Sequence, residues 1–317
     1  MTCAAATQTP STRRAARGVL ERRGAATQPP ARAVLGVASV GYLVPRSAFD
    51  GSVHSVFAHA CNLASEHGLL TVCASGAGNG PTVLRLASGA PVDLRDHFEV
   101  GERFDAPDGA LRTGRIELDF RQASVWRPAA ATRTLPCARI EPRLRLTRRV
   151  VDERRARQSN VLDTVARPVA GALGDACRTL DREQALRQLD RLVGWGEGLT
   201  PAGDDFLVGL LAGLEVLARG DARRLRFQRA IGGAVAARTH RTTPIAAHCL
   251  RLAAAGHHGE PLLALRDALV CAIDDGAVEP ALRNALAVGA TSGADTASGL
   301  LAGLFAWLAP PSIAAAA

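Results

Sequence analysis

After residue 33 the chain shows two kinds of hydrophobic patterning. Val34-Leu35-Gly36-Val37-Ala38-Ser39-Val40, Leu69-Leu70-Thr71-Val72-Cys73 and Thr82-Val83-Leu84-Arg85-Leu86 are short apolar runs that read as strands. Arg115-Ile116-Glu117-Leu118-Asp119-Phe120 alternates with period two, the pattern of a half-buried strand. Ser75-Gly76-Ala77-Gly78-Asn79-Gly80-Pro81 lacks the Lys-Ser ending of a phosphate loop and reads as a hairpin turn between two of these strands. Val56, Phe57, Ala60, Cys61, Leu63 and Ala64 are mostly spaced for one helical face, which predicts a helix ending at Gly68.

From about residue 154 the period becomes helical. Leu186, Leu189, Leu192 and Val193 form an apolar stripe behind Asp181 and Gln184, which are spaced as a capping box. Thr243-Pro244 and Glu279-Pro280 each mark a helix start. The expected fold class is α+β. It divides into an Arg-rich disordered tail (1–33), a β-rich domain (34–136), a linker rich in arginine with Pro142 (137–153), and a mainly α-helical domain of six to eight short helices (154–310).

The helical part contains an internal echo. Residues 203–214 read GDDFLVGLLAGL and residues 293–304 read GADTASGLLAGL, identical at eight of twelve positions. Thr200 and Thr291 stand just before the two copies. Gly209 and Gly213, like Gly299 and Gly303, are four apart and share a helix face. Such faces let backbones approach closely. The two helices are therefore expected to pack closely, against each other; if they run side by side in the same direction, both aspartate-bearing turns lie at one end.

The turn before the first copy, GWGEGLTPAGDD (194–205), has two readings. In the functional one, Gly196, Gly198, Thr200 and Gly203 curl around an anion at a helix N-terminus, and Asp204 and Asp205 handle a proton or hold a metal, Mg²⁺ being the candidate. In the structural one, Thr200 or Asp204 caps the first helix, and Ser292 with Asp295 forms a capping box on the second. The segment Arg238-Thr239-His240-Arg241-Thr242-Thr243-Pro244 has the same ambiguity. Its arginines either grip an anion, with Arg238 and Thr239 as first choice, or lie against a helix C-terminus. His240, His248, His257 and His258 lack metal-ligand spacing and read as packed or solvated, and His54-Ser55 alone is no triad.

Composition changes this picture little. The 317 residues leave room for about two domains. Aromatics are only 4%, so the cores must be built from Leu, Val and Ala. All basic residues are arginine, and the net charge is +8. Residues 1–33 carry +5 of that charge, leaving an ordinary surface balance that argues against a nucleic-acid partner. Seven cysteines without a CxxC pair suit reduced thiols in a cytoplasm. No apolar stretch is long enough to span a membrane.

Together GEGLTPAGDDFLVGLLAGL, RTHRTTPIAAHCL and GATSGADTASGLLAGL resemble the AllH-type family, long catalogued as a domain of unknown function. GSVHSVFAHACNLA is similar to that family's early motif, and the resemblance spans residues 34–308. One departure is Ala294, where the family often has a bulky aromatic. The resemblance implies a subunit of oxamate carbamoyltransferase in allantoin and purine breakdown, interconverting oxalurate plus phosphate with oxamate plus carbamoyl phosphate. It also implies a cytoplasmic hetero-oligomer with FdrA-type and AllG-type companions. Read onto that chemistry, Asp204 and Asp205 are the candidate catalytic groups. Gly196, Gly198, Thr200, Gly203, Arg238, Thr239, Ser292 and Asp295 are the candidate substrate-binding ones. The alternative is a non-catalytic partner subunit of a metabolic enzyme acting on another substrate.

Overall fold

The computed structural model describes residues 32–87, 92–129, 133–157 and 162–308. The Arg-rich tail lies almost wholly outside these residues. The first half is built from strands, with one short 3₁₀ turn at Leu94–Asp96: β1 (Ala33–Gly41), β2 (Phe49–Val56), β3 (Ala60–Ser65), β4 (Gly68–Cys73), β5 (Val83–Leu86), β6 (Arg103–Ala106), β7 (Ala110–Arg112), β8 (Ile116–Asp119) and β9 (Ser124–Trp126). The sheet runs β5-β4-β3-β2-β6-β7-β8-β1, and β1 pairs with β5 again. Eight strands therefore close into a barrel, which removes exposed sheet edges. β9 extends the C-terminal half of β1 in parallel. The interior is filled by Val40, Leu63, Leu70, Leu84, Leu111, Leu118 and Phe120, none of them exposed.

Two local expectations are overturned here. The segment around Val56–Ala64 is not a helix but the β2–β3 hairpin, closed by the Phe57 N–H donating to the Ala60 carbonyl (2.7 Å). Val53, Cys61 and Leu63 point inward with strand alternation, and a register shift between Val53 and Ser55 blurs that alternation in the sequence. Residues 75–81 are not a hairpin turn either, because β4 and β5 are parallel neighbours. The loop instead reaches the helical half. The Asn79 N–H and Nδ2 both donate to Glu260 Oε2 (2.8 and 2.7 Å), and the Glu260 N–H donates back to the Asn79 carbonyl (2.8 Å).

The second half contains α1 (Cys137–Arg157), α2 (Leu162–Thr179), α3 (Arg182–Leu192), α4 (Ala202–Ala218), α5 (Ala222–Arg238), α6 (Pro244–Ala254), α7 (Glu260–Val270), α8 (Val278–Leu286) and α9 (Ser292–Leu308). The whole stretch 137–153, expected as a connection, therefore lies within helix α1. Ile140, Leu144, Thr147 and Val151 recur every three or four residues and are buried. Arg143 is buried too, and donates to the Ala268 and Ala272 carbonyls (2.9 and 2.8 Å) and to Asp275. The caps read from sequence are present: Asp181 accepts from the Gln184 N–H, and Thr243 from the Ala246 N–H ahead of Pro244.

Helices α4 and α9 form the centre. They lie side by side and point the same way, with glycines at the contact. A Cβ on Gly209 would overlap the Thr296 carbonyl, and one on Gly299 would overlap the Phe206 carbonyl. Further along, a Cβ on Gly213 would sit 2.6 Å from the Leu300 carbonyl, and one on Gly303 2.6 Å from the Leu210 carbonyl. Each contact is the other's mirror at an offset of ninety positions, so the echo is a structural duplication with approximate two-fold symmetry. The starts match as well: the Asp205 N–H donates to the Pro201 carbonyl, and the Asp295 N–H to the Thr291 carbonyl. Pro201, not Thr200, is thus the counterpart of Thr291.

Candidate functional site

The parallel packing brings both aspartate-bearing turns to one end of the pair. The loop from α3 to α4 reaches this end through Gly194, Gly196 and Gly198, all at positive φ (73°, 117° and 85°), where a side chain would be strained. The Gly203 N–H closes the loop on the Trp195 carbonyl (2.9 Å). Pro201 takes the N-cap position of α4, with no side-chain cap, so neither Thr200 nor Asp204 caps this helix.

Asp204 is 1% exposed. Its Oδ1 accepts the Gly194 N–H (2.9 Å) and its Oδ2 accepts the Thr242 hydroxyl. Burial raises its pKa, and these two hydrogen bonds pull it back. Asp204 thus ties the start of α4 to the end of α3 and to the lead-in of α6. Both of its carboxylate oxygens are engaged by these bonds.

Asp205 differs. It is 8% exposed, and its Oδ2 has no hydrogen-bond partner. An orphaned buried carboxylate oxygen is costly, and protonation relieves that cost. Burial pushes the pKa of Asp205 up to about 7; the charges of Asp295 and Asp204 push the same way, against hydrogen bonding from Ser292 and Thr200. Those two hydroxyls are themselves 2.9 Å apart, Thr200 from the first turn and Ser292 from the second. Asp295 is 2% exposed, with its Oδ1 3.6 Å from an Arg155 guanidinium nitrogen. The Cys249 thiol of α6 is pushed up to about 12 by burial and by the charges of Asp205 and Asp204.

The structure therefore assembles Gly203, Thr200, Asp204, Asp205, Ser292 and Asp295 at the paired helix starts. Arg238 and Thr239 are engaged elsewhere. Arg238 makes a two-pronged bond to Asp190 (2.8 and 3.2 Å), and the Thr239 hydroxyl donates to the Ala236 carbonyl (2.9 Å). The residue of that segment that reaches the aspartates is Thr242. It stood in the quoted Arg-Thr string, but no local signal separated it from its neighbours. Arg155 and Trp195 were also not singled out.

The histidines are packed as expected. His257 meets Tyr42 Oη (2.8 Å), His258 meets Glu215 (3.0 Å), and His248 meets Thr82 (3.1 Å), with burial and Arg251 lowering the His248 pKa to about 4. Among the described residues no group of three or more His, Cys, Asp or Glu side chains is placed to hold a metal ion.

A carboxyl raised by burial to about 7 and flanked by two hydroxyls can give and take a proton near neutral pH. The fold and this site together define an α+β protein made of a closed barrel and a duplicated parallel helix pair. The chain belongs to the AllH family: residues 34–125 match the AllH family N-terminal domain, and residues 192–304 match the oxamate carbamoyltransferase subunit AllH. The second match contains both turns of the site. No curated protein and no solved structure matches the chain.

The raised pKa has a consequence for stability. An unfolded Asp releases its proton near pH 3.9, whereas Asp205 in the fold keeps it up to about pH 7. Its contribution is therefore full below about pH 4 and is lost as the pH rises through 7. Over that window the loss is about 4 kcal/mol at 1.36 kcal/mol per unit. Asp205→Asn should gain stability relative to the native protein by a similar amount between pH 4 and 8, read by urea unfolding at several pH values. A difference that stays constant with pH would mean that Asp205 titrates normally.

Proposed function

We propose that this chain is the acid–base subunit of an oxamate carbamoyltransferase-type enzyme, converting oxalurate and phosphate to oxamate and carbamoyl phosphate. The observation that carries the reading is the near-neutral Asp205 carboxyl, with its unpartnered Oδ2, inside the segment matched to that family.

The reaction calls for such a group. A phosphate oxygen attacks the ureido carbonyl carbon of oxalurate, and the bond from that carbon to the oxamate nitrogen breaks. The leaving nitrogen needs a proton, and hydrogen phosphate has one to lose. Protonated Asp205 donates to the nitrogen and is reprotonated from the phosphate, so the proton count balances. The Thr200 and Ser292 hydroxyls orient the amide, and Asp204 holds the turn through Gly194 and Thr242.

A subunit acts with partners, and FdrA-type and AllG-type chains are the proposed companions in a cytoplasmic complex of allantoin breakdown. Cys61, Cys73, Cys137, Cys177 and Cys249 are free thiols, in keeping with a reducing compartment. No described helix is long and apolar enough to cross a membrane.

The test is reconstitution. The purified chain with both companions should release oxamate from oxalurate only when phosphate is present. A stable complex without this activity would move the substrate elsewhere and favour the non-catalytic partner reading.

A further inference from the structure

Strand β2 carries a polar group on the barrel wall that the aspartate site does not use. Val53 pairs with Leu63 and Ser55 with Asn62, so His54 is the extra residue of a bulge. Consecutive side chains of a regular strand point to opposite faces. Here His54 Nδ1 lies 3.2 Å from Ser55 Oγ, so the bulge turns the two to one side.

The serine is held from the neighbouring strands. Asn62 Nδ2 donates to Ser55 Oγ (3.0 Å), and the Thr71 hydroxyl donates to Asn62 Oδ1 (2.8 Å). This row crosses β2, β3 and β4 in register, because Ser55 pairs with Asn62 and Asn62 with Thr71. Cys61 and Leu63 fill the barrel, so the Asn62 amide between them is on the outer face, yet Asn62 is only 8% exposed. With Thr71 on its oxygen, that amide presents an N–H to Ser55. The Ser55 oxygen is then the acceptor toward Asn62, and its own proton is left for His54 Nδ1. His54 and Ser55 are half-buried, which leaves both open to a small molecule.

A hydroxyl gripped by a donor, with an imidazole on its proton, is the arrangement of an activated serine. The Asn62 N–H favours the oxygen as it loses its proton, and the imidazole accepts that proton as the oxygen attacks. We propose that Ser55 is a nucleophile toward small activated acyl compounds such as esters, with His54 as its base and Asn62 as the residue that positions it. Ser55 Oγ bonds to the carbonyl carbon, and its proton passes to His54 Nδ1. The bond from that carbon to the leaving oxygen breaks, and the leaving oxygen keeps the electron pair. The acyl group stays on Ser55 as an ester, and His54 gives its proton to the leaving oxygen or to water. This site stands independently of the transferase reading.

The full chain is treated with p-nitrophenyl acetate and, separately, with a fluorophosphonate that labels activated serines. A burst of about one p-nitrophenolate per chain is expected, with the acetyl or phosphonyl mass on the peptide holding Ser55. Ser55→Ala should lose both signals. His54→Gln keeps a polar side chain but not the base, and should slow acylation by about 10²-fold or more. Circular dichroism and thermal unfolding of both variants should match the native chain, and the urea-unfolded native chain should not react. No label on Ser55 in the folded native chain, a label that falls on Ser292 or another serine instead, or equal rates in the native chain and a folded His54→Gln overturns the proposal.

Discussion

Alanine at Gly209 is expected to abolish the folded helical half. The added Cβ overlaps the Thr296 carbonyl and sits 2.7 Å from the Leu300 nitrogen, and both are backbone atoms of a buried helix. Neither can swing aside as a side chain would, so α4 and α9 must separate. That separation opens the cores on both flanks, where Leu207, Leu210 and Leu300 are fully buried. The destabilisation should exceed about 4 kcal/mol, the range reserved for severe core disruption. Gly299→Ala should do the same by the two-fold symmetry of the contact. Gly233→Ala in α5 is the control, since nothing lies within 4 Å of its added Cβ. It should be neutral or gain up to about 1 kcal/mol. Thermal and urea unfolding check all three. A soluble Gly209→Ala protein with native stability would mean that the two helices do not meet at these glycines.

The second large effect is on activity. Asp205→Asn keeps the shape of the side chain but cannot cycle a proton. In the assembled enzyme it should lower turnover by about 10²–10⁴-fold, the usual worth of a positioned acid–base group. The variant should fold at least as well as the native chain above pH 7, because it removes the cost of a buried charge. Loss of activity therefore cannot be blamed on unfolding. Asp204→Asn offers a contrast. It weakens the tie from Gly194 and Thr242, so it should cost stability as well as rate.

How much of this was legible in the sequence depends on the range of the interactions involved. The helix duplication was readable because its determinants are local: glycines four apart and an aspartate at a fixed offset before them. The meeting of the two aspartate-bearing turns at one end follows from those positions once the helices are parallel. The barrel strands with clean apolar runs, β1, β4, β5 and β8, were also readable. The β2–β3 hairpin was misread because a tight turn at Phe57–Ala60 and a register shift brought apolar residues into a helix-like spacing. The parallel pairing of β4 and β5 was not readable, because closure through β1 decides it and β1 lies more than forty residues upstream. Helix α1 was hidden by its arginines, although its stripe of Ile140, Leu144 and Val151 has the right period.

The site shows the same division. Asp204, Asp205 and Asp295 announced themselves, but nothing local separates the tied aspartate from the orphaned one. That difference depends on Thr242, thirty-eight residues downstream. Arg238 seemed the natural anion grip, yet Asp190, forty-eight residues away, takes its fork. Arg155 reaches the site only because α1 packs beside α9.

The most direct test is the pH dependence of kcat/KM for the assembled enzyme, measured in parallel for the native chain and Asp205→Asn. If Asp205 moves the proton, the native profile has a limb near pH 7, and the variant lacks that limb at a rate lower by two orders of magnitude or more. A folded variant with the native rate and the same limb would contradict the assignment.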